Sequence, residues 1–141
     1  MKHVLRPLLI LLLLFCSNVL CSGDDIILVV SKENSLNKVS KSELKKLYIG
    51  KQTTLDNTFI NPTILKVKSI HKVFLEEYLQ LNARQFARIW QKLVFTGKGQ
   101  MPNQYTSEQE LIRILTDNPE KVGYIPRKMI TDDLKEITVT P

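Results

Sequence analysis

The chain has 141 residues, 43% hydrophobic and 24% charged, which is the balance of an ordinary globular protein with material for one core. Its 20 basic and 14 acidic residues set a formal charge of +6, which inclines the surface toward an anionic partner, whether solute, lipid headgroup or polymer. The basic residues are spread out and carry no recognition motif, which argues against nucleic acid.

A targeting pattern comes first. Lys2, His3 and Arg6 form a basic stretch, residues 8–15 are unbroken apolar sequence, and residues 16–23 supply small residues for cleavage. The apolar run falls short of the ~20 residues that span a bilayer. The expectation is a signal peptide over residues 1–23, cleaved near residues 21–23, and a periplasmic protein that is not integral to the membrane. Acylation at Cys21 is the rival, but Leu20 stands where a lipobox has a small residue. Cleavage after Cys21 removes both cysteines and lowers the formal charge to +4 by taking away Lys2 and Arg6. The remaining domain, residues 24–141, then stabilises itself without disulfides.

Residues 26–30, Ile-Ile-Leu-Val-Val, predict a strand covered on both faces. A polar loop over 31–39 follows. Ser40 and Glu43 make a capping box for a helix whose apolar face is Leu44, Leu47 and Tyr48, ending at Gly50. Residues 52–61 read as an exposed loop and 62–67 as a second strand, with Pro62 at its start. Ile70, Val73, Phe74, Tyr78 and Leu81 form the stripe of a second helix. Asn82 with Gln85 caps a third, whose stripe is Phe86, Ile89, Trp90, Leu93 and Val94. Trp90 and Phe95 are expected in the core. Residues 97–105 read as a loop, and Ser107 with Glu110 caps a fourth helix that ends at Asn118-Pro119. Residues 122–125 and 136–140 predict closing strands. Strands interleaved with helices argue an α/β domain with a mixed sheet and helices on both faces.

Two helices close on an aromatic, one spacer, Gly and Lys: Tyr48-Ile49-Gly50-Lys51 and Phe95-Thr96-Gly97-Lys98. A glycine just past a helix supplies the left-handed residue that ends it, and the lysine suits the negative dipole end. Val122-Gly123-Tyr124 returns a glycine near the C-terminus, and Trp90 and Pro102 flank the second motif at five residues. This ordered set resembles the small, single-domain relatives of the periplasmic phosphate-binding proteins, the substrate-binding components of phosphate ABC transporters. The resemblance covers nearly all of the chain after residue 24. It implies one lobe of a periplasmic binding-protein fold, where a complete binding protein closes two lobes on its ligand.

Catalysis finds little support. His71 is the single histidine after residue 23, and no nucleophile elbow, phosphate loop or metal-spaced cluster accompanies it. No metal or cofactor is expected. The chief small-ligand candidate is the helix start at Ser69, His71 and Lys72, where free N–H groups, the helix dipole and nearby cations suit an anion. In the two-lobed relatives, the resemblance implies, Ser-Gly-Thr occupies this position and holds the phosphate. Ser69 matches the serine, while Ile70 and His71 replace glycine and threonine. The competing and plainer reading is that Ser69 merely caps the helix. The second candidate is Ser31, Asn34 and Ser35 after the first strand, where open sheets tend to bind ligands, or else a solvated loop. Gly50, Gly97 and Gly123 are expected at caps and turns.

Two functions remain open. One is an exported substrate-binding-like protein taking phosphate or a related oxyanion weakly and serving an ABC permease. The other is a non-enzymatic module that keeps the fold, lacks the ligand and docks on another envelope protein. In the first, His71 would help most when protonated, so affinity should rise as pH falls through about 6.5.

Overall fold

The computed structural model describes residues 24–141; the expected signal peptide and the Cys21 question lie outside the described residues. In chain order the elements are β1 (Ile26–Ser31), β2 (Lys38–Ser40), α1 (Lys41–Tyr48), β3 (Thr54–Leu55), β4 (Thr58–Phe59) and β5 (Asn61–Leu65). There follow α2 (Lys68–Phe74) running into a π-helical turn (Leu75–Leu79), α3 (Ala83–Phe95), β6 (Asn103–Tyr105), α4 (Glu108–Asp117) and β7 (Lys121–Pro126). A 3-10 turn (Arg127–Met129), β8 (Leu134–Glu136) and β9 (Thr138–Thr140) complete the chain.

Five strands form one mixed sheet in the order β6-β5-β7-β1-β8. β5 runs parallel to both β6 and β7, while β1 runs antiparallel to β7 and β8. All six residues of β1 are buried, as its continuous apolar sequence requires of a strand covered on both faces. Alternation along β7 sorts the helices. Tyr124 stacks on Phe74 of α2 at 3.8 Å and lies 6.2 Å from Tyr48 of α1. Its neighbour Gly123 turns the other way, toward Leu111 and Leu115 of α4. Helices therefore cover both faces, and the lone Trp90 seals one end by donating from Nε1 to the Tyr48 carbonyl at 3.0 Å.

The repeated Gly-Lys signal has one physical origin. In α1, the Gly50 N–H donates to Leu47 and that of Lys51 to Lys46; in α3, Gly97 donates to Val94 and Lys98 to Leu93. These are paired Schellman closures, and Gly50 and Gly97 hold the positive φ they need, +73° and +66°. Gly123 departs from expectation. It sits inside β7 without a positive φ, and what it needs is space: a Cβ there would lie 2.8 Å from Thr63 Oγ1 and 2.9 Å from Leu115 Cδ1.

Several expected loops carry short strands. Ser31 is the buried end of β1, and the 31–39 loop closes on β2. Asp56 and Asn57 both take positive φ and turn a β3–β4 hairpin inside the expected loop 52–61. β6 emerges from the 97–105 loop because its neighbour β5 offers a parallel edge. The predicted last strand breaks at Ile137. Its buried side chain and its N–H bond to the Leu28 carbonyl hold it in the core, so β9 leaves the main sheet and pairs in parallel with β2. Phe95 and Val94 also depart from expectation: they are 94% and 52% exposed rather than core. At 100° per residue Phe95 points directly away from Phe86, while Val94 falls at the edge of the inward face, about 40° past Trp90.

Candidate functional site

The segment from β5 into α2 gathers cations around an open helix start. Lys66, Lys68, Ser69 and Lys72 are all exposed. The helix begins at Lys68 with Val67 in the N-cap position and no side-chain cap, so Ser69 lies within the first turn instead of capping it. The other three helices have side-chain caps from Ser40, Asn82 and Ser107. The first N–H groups of α2 thus face no capping side chain and can receive an anion. Ile70, which replaces the expected glycine, is only 7% exposed. Its bulk goes into the core.

His71 faces inward. Its ring meets Phe86 edge-on at 5.7 Å and lies nearly parallel to Tyr124 at 6.1 Å. Nδ1 is 2.7 Å from the Tyr124 hydroxyl, which accepts from the Leu65 N–H at 3.0 Å. The hydroxyl has one proton, which goes to Nδ1 when that nitrogen is bare and to the Leu65 carbonyl at 3.4 Å when Nδ1 carries its own. Burial, aided by the Lys66 charge, lowers the His71 pKa below its ordinary value. Protonation of His71 therefore sets in at lower pH than the 6.5 read from the sequence. Tyr124 is shifted upward by burial and stays protonated.

The second candidate loop lies elsewhere. Because β1 is antiparallel to β7, Val30 stands opposite Val122 while Ile26 stands opposite Pro126. β5 runs with β7, so the start of α2 and the end of β1 occupy opposite ends of the sheet. Ser69 and Lys72 share the exposed start of α2 while His71 turns inward; Ser31 and Ser35 lie too far away to join them on one small ligand. Asn34 is committed to structure, donating from Nδ2 to the Pro119 carbonyl at 2.6 Å and accepting from the Leu36 N–H at 2.7 Å. Ser31 Oγ accepts from the Glu33 N–H at 3.3 Å, and Ser35 is exposed. At the Ser31 end of the sheet, a cleft of about 450 Å³ beside Trp90 is bordered by Gln52, Asn61, Lys98, Gln100 and Lys121.

Lys66 and Tyr124 were missed as members of the α2 site. Tyr124 meets His71 across 53 positions, and no local pattern encodes that meeting. Lys66 could have been found as one more cation in the Lys66–Lys72 run.

A mixed sheet covered by helices on both faces, with a loop–helix junction open at one sheet end, is the architecture of one lobe of a periplasmic binding protein. Solved structures agree. An ABC-type phosphate transport receptor from Vibrio cholerae superposes with a TM-score of 0.62 at 16% identity, over 82% of this chain and 46% of its own. A putative phosphate ABC transporter substrate-binding protein with bound phosphate from Clostridium perfringens gives 0.62 at 18%, over 82% and 45%. PstS from Borrelia burgdorferi gives 0.57 at 18%, over 83% and 47%. The chain thus spans less than half the length of these proteins, and at such identities the likeness is one of fold. No protein-family model and no curated protein matches the sequence. Among the described residues no helix is long and apolar enough to cross a membrane.

Proposed function

We propose that this chain is an exported, non-enzymatic substrate-binding-like protein that takes phosphate or a related oxyanion weakly at the start of α2. The observation that carries the reading is the uncapped first turn of α2 among Lys66, Lys68 and Lys72, in a fold shared with phosphate-transport proteins. Ser69 and Lys72 supply the side-chain contacts. His71 positions the turn through Tyr124 and adds charge once protonated. An ABC permease is the partner this reading implies, and residues 24–141 are the functional domain.

The site is a face, not an enclosure, so the bound ion keeps part of its water. Charge-assisted contacts in the open are weak and screened by salt. Calorimetry with phosphate at low ionic strength should show weak binding that fades as salt is added and is lost in Lys72→Glu. Tight binding indifferent to salt would refute the open face; no heat at millimolar phosphate would refute the oxyanion reading altogether. Sulfate separates the role of His71, because its charge is constant across the range. Sulfate affinity should rise only below about pH 6.5, and His71→Ala should flatten that rise.

The second reading, an interaction module docking on an envelope component, is favoured by a different observation: Phe95, 94% exposed at the end of α3.

A further inference from the structure

The outer face of α3 joins two features the anion site does not use. Phe95 is almost wholly exposed and Val94 is half exposed. Arg84, Arg88 and Lys92 are exposed and recur every four residues, which sets them along one side of the helix. At 100° per residue Phe95 falls beside that row, directly away from the buried Phe86. No acidic residue occurs between Ala83 and Phe95, and Lys98 follows the helix closely. A shallow groove of about 920 Å³ runs along the flank, with Ala87, Trp90, Val94 and Met101 among its walls and Arg88 and Lys92 at its rim.

We infer that this face of α3 docks on an anionic phospholipid surface, with Phe95 and Val94 entering the headgroup–acyl boundary and Arg84, Arg88, Lys92 and Lys98 meeting the phosphates. The charge selects the occupant. A second copy meeting this face symmetrically would bring the cationic row against itself. The ring selects further: at 94% exposure Phe95 needs an environment that closes around it on every side, and a bilayer interface does so without a shaped pocket. The apolar side of α3, Phe86 and Trp90, is spent on the core, so what the helix offers a bilayer is an exposed aromatic set among cations, the ring for the interface and the charges for the phosphates. The α2 anion site plays no part, so this inference stands or falls apart from the proposed oxyanion function.

The test is sedimentation of the purified protein with vesicles of phosphatidylcholine alone and of phosphatidylcholine mixed with phosphatidylglycerol. Binding should require phosphatidylglycerol and weaken with salt. Phe95→Ser, at a position too exposed to disturb the fold, should lower affinity about tenfold or more, the loss expected when one phenyl group is no longer withdrawn from water. Arg88→Glu and Lys92→Glu should each lower it at least about fivefold. In Phe95→Trp the added indole emission should shift to the blue on phosphatidylglycerol vesicles, read as the difference from wild type. Failure to bind phosphatidylglycerol vesicles at low salt would overturn the inference and leave the face to an acidic protein partner. Binding that survives Phe95→Ser undiminished, or leaves the Phe95→Trp emission unmoved, would overturn it equally, since the protein would then adhere by charge on another face.

Discussion

Gly123 shows how one position can be constrained by two neighbouring elements at once. Thr63 Oγ1, which donates to the Val122 carbonyl at 2.8 Å, and Leu115 Cδ1 both stand where a β-carbon would fall. Neither can withdraw far, because the threonine is fully buried and the leucine sits in the core. Gly123→Ala should therefore cost about 1–3 kcal/mol by overpacking, measured as a lower urea midpoint with an unchanged slope. His71 makes the complementary case for charge. Its folded pKa lies below the ordinary value because burial opposes the imidazolium, so the unfolded chain takes up the proton first. The contribution is fully present above about pH 6.5, the unfolded value, and is lost as pH falls through the folded one. Stability of the wild type should decline in that window relative to His71→Gln, and parallel pH profiles of the two proteins would contradict the inward placement of the ring.

At the scale of elements, the helix ends carry most of the local information. Ser40 and Asn82 make reciprocal capping boxes with Glu43 and Gln85, and hydrogen bonds from Ser40 hold the Glu43 carboxyl below its ordinary pKa. Asn82→Ala removes the cap of α3 and should cost about 1 kcal/mol, seen in the same denaturation experiment. The hairpin offers a change of opposite sign. Asn57 holds φ +60° next to Asp56 at +48°, and Asn57→Gly would relieve the left-handed strain. A gain of up to about 1 kcal/mol is expected, provided the turn persists; a loss would mean that the Asn57 side chain supports the turn in a way its backbone conformation does not reveal. α2 stands apart, with no cap of its own, and the proposed anion would complete it.

For the molecule as a whole, the direction of β1 decides what can act together. Antiparallel to β7, it separates the β1 end from the α2 start by the length of the sheet, so any phosphate effect should map to the α2 end alone. Ligand linkage sets its size: phosphate at ten times its dissociation constant should stabilise the fold by about 1.4 kcal/mol. The single Trp90, 4% exposed and bonded to Tyr48, reports unfolding directly. Its emission should follow the gain in wild type, lose it in Lys72→Glu, and keep it in Ser35→Ala. Retention of the full gain by Lys72→Glu would move the site away from α2.

Sequence alone was sufficient for the caps, the glycine closures, the buried first strand and the α/β class. Each of these depends on residues within one turn or one pleat of one another, where spacing translates directly into geometry. Ser69 and Lys72 were legible as a cationic helix start for the same reason. Tertiary structure alone decided the rest. The inward turn of His71 depends on Tyr124, 53 positions away. The departure of β9 depends on Ile137 reaching Leu28, and the need for Gly123 depends on two side chains from separate elements. Phe95 is the plainest instance: its apolar character suggested the core, but its phase at the end of α3 put it in solvent, and only the packing of that helix on the sheet determined which side faced out.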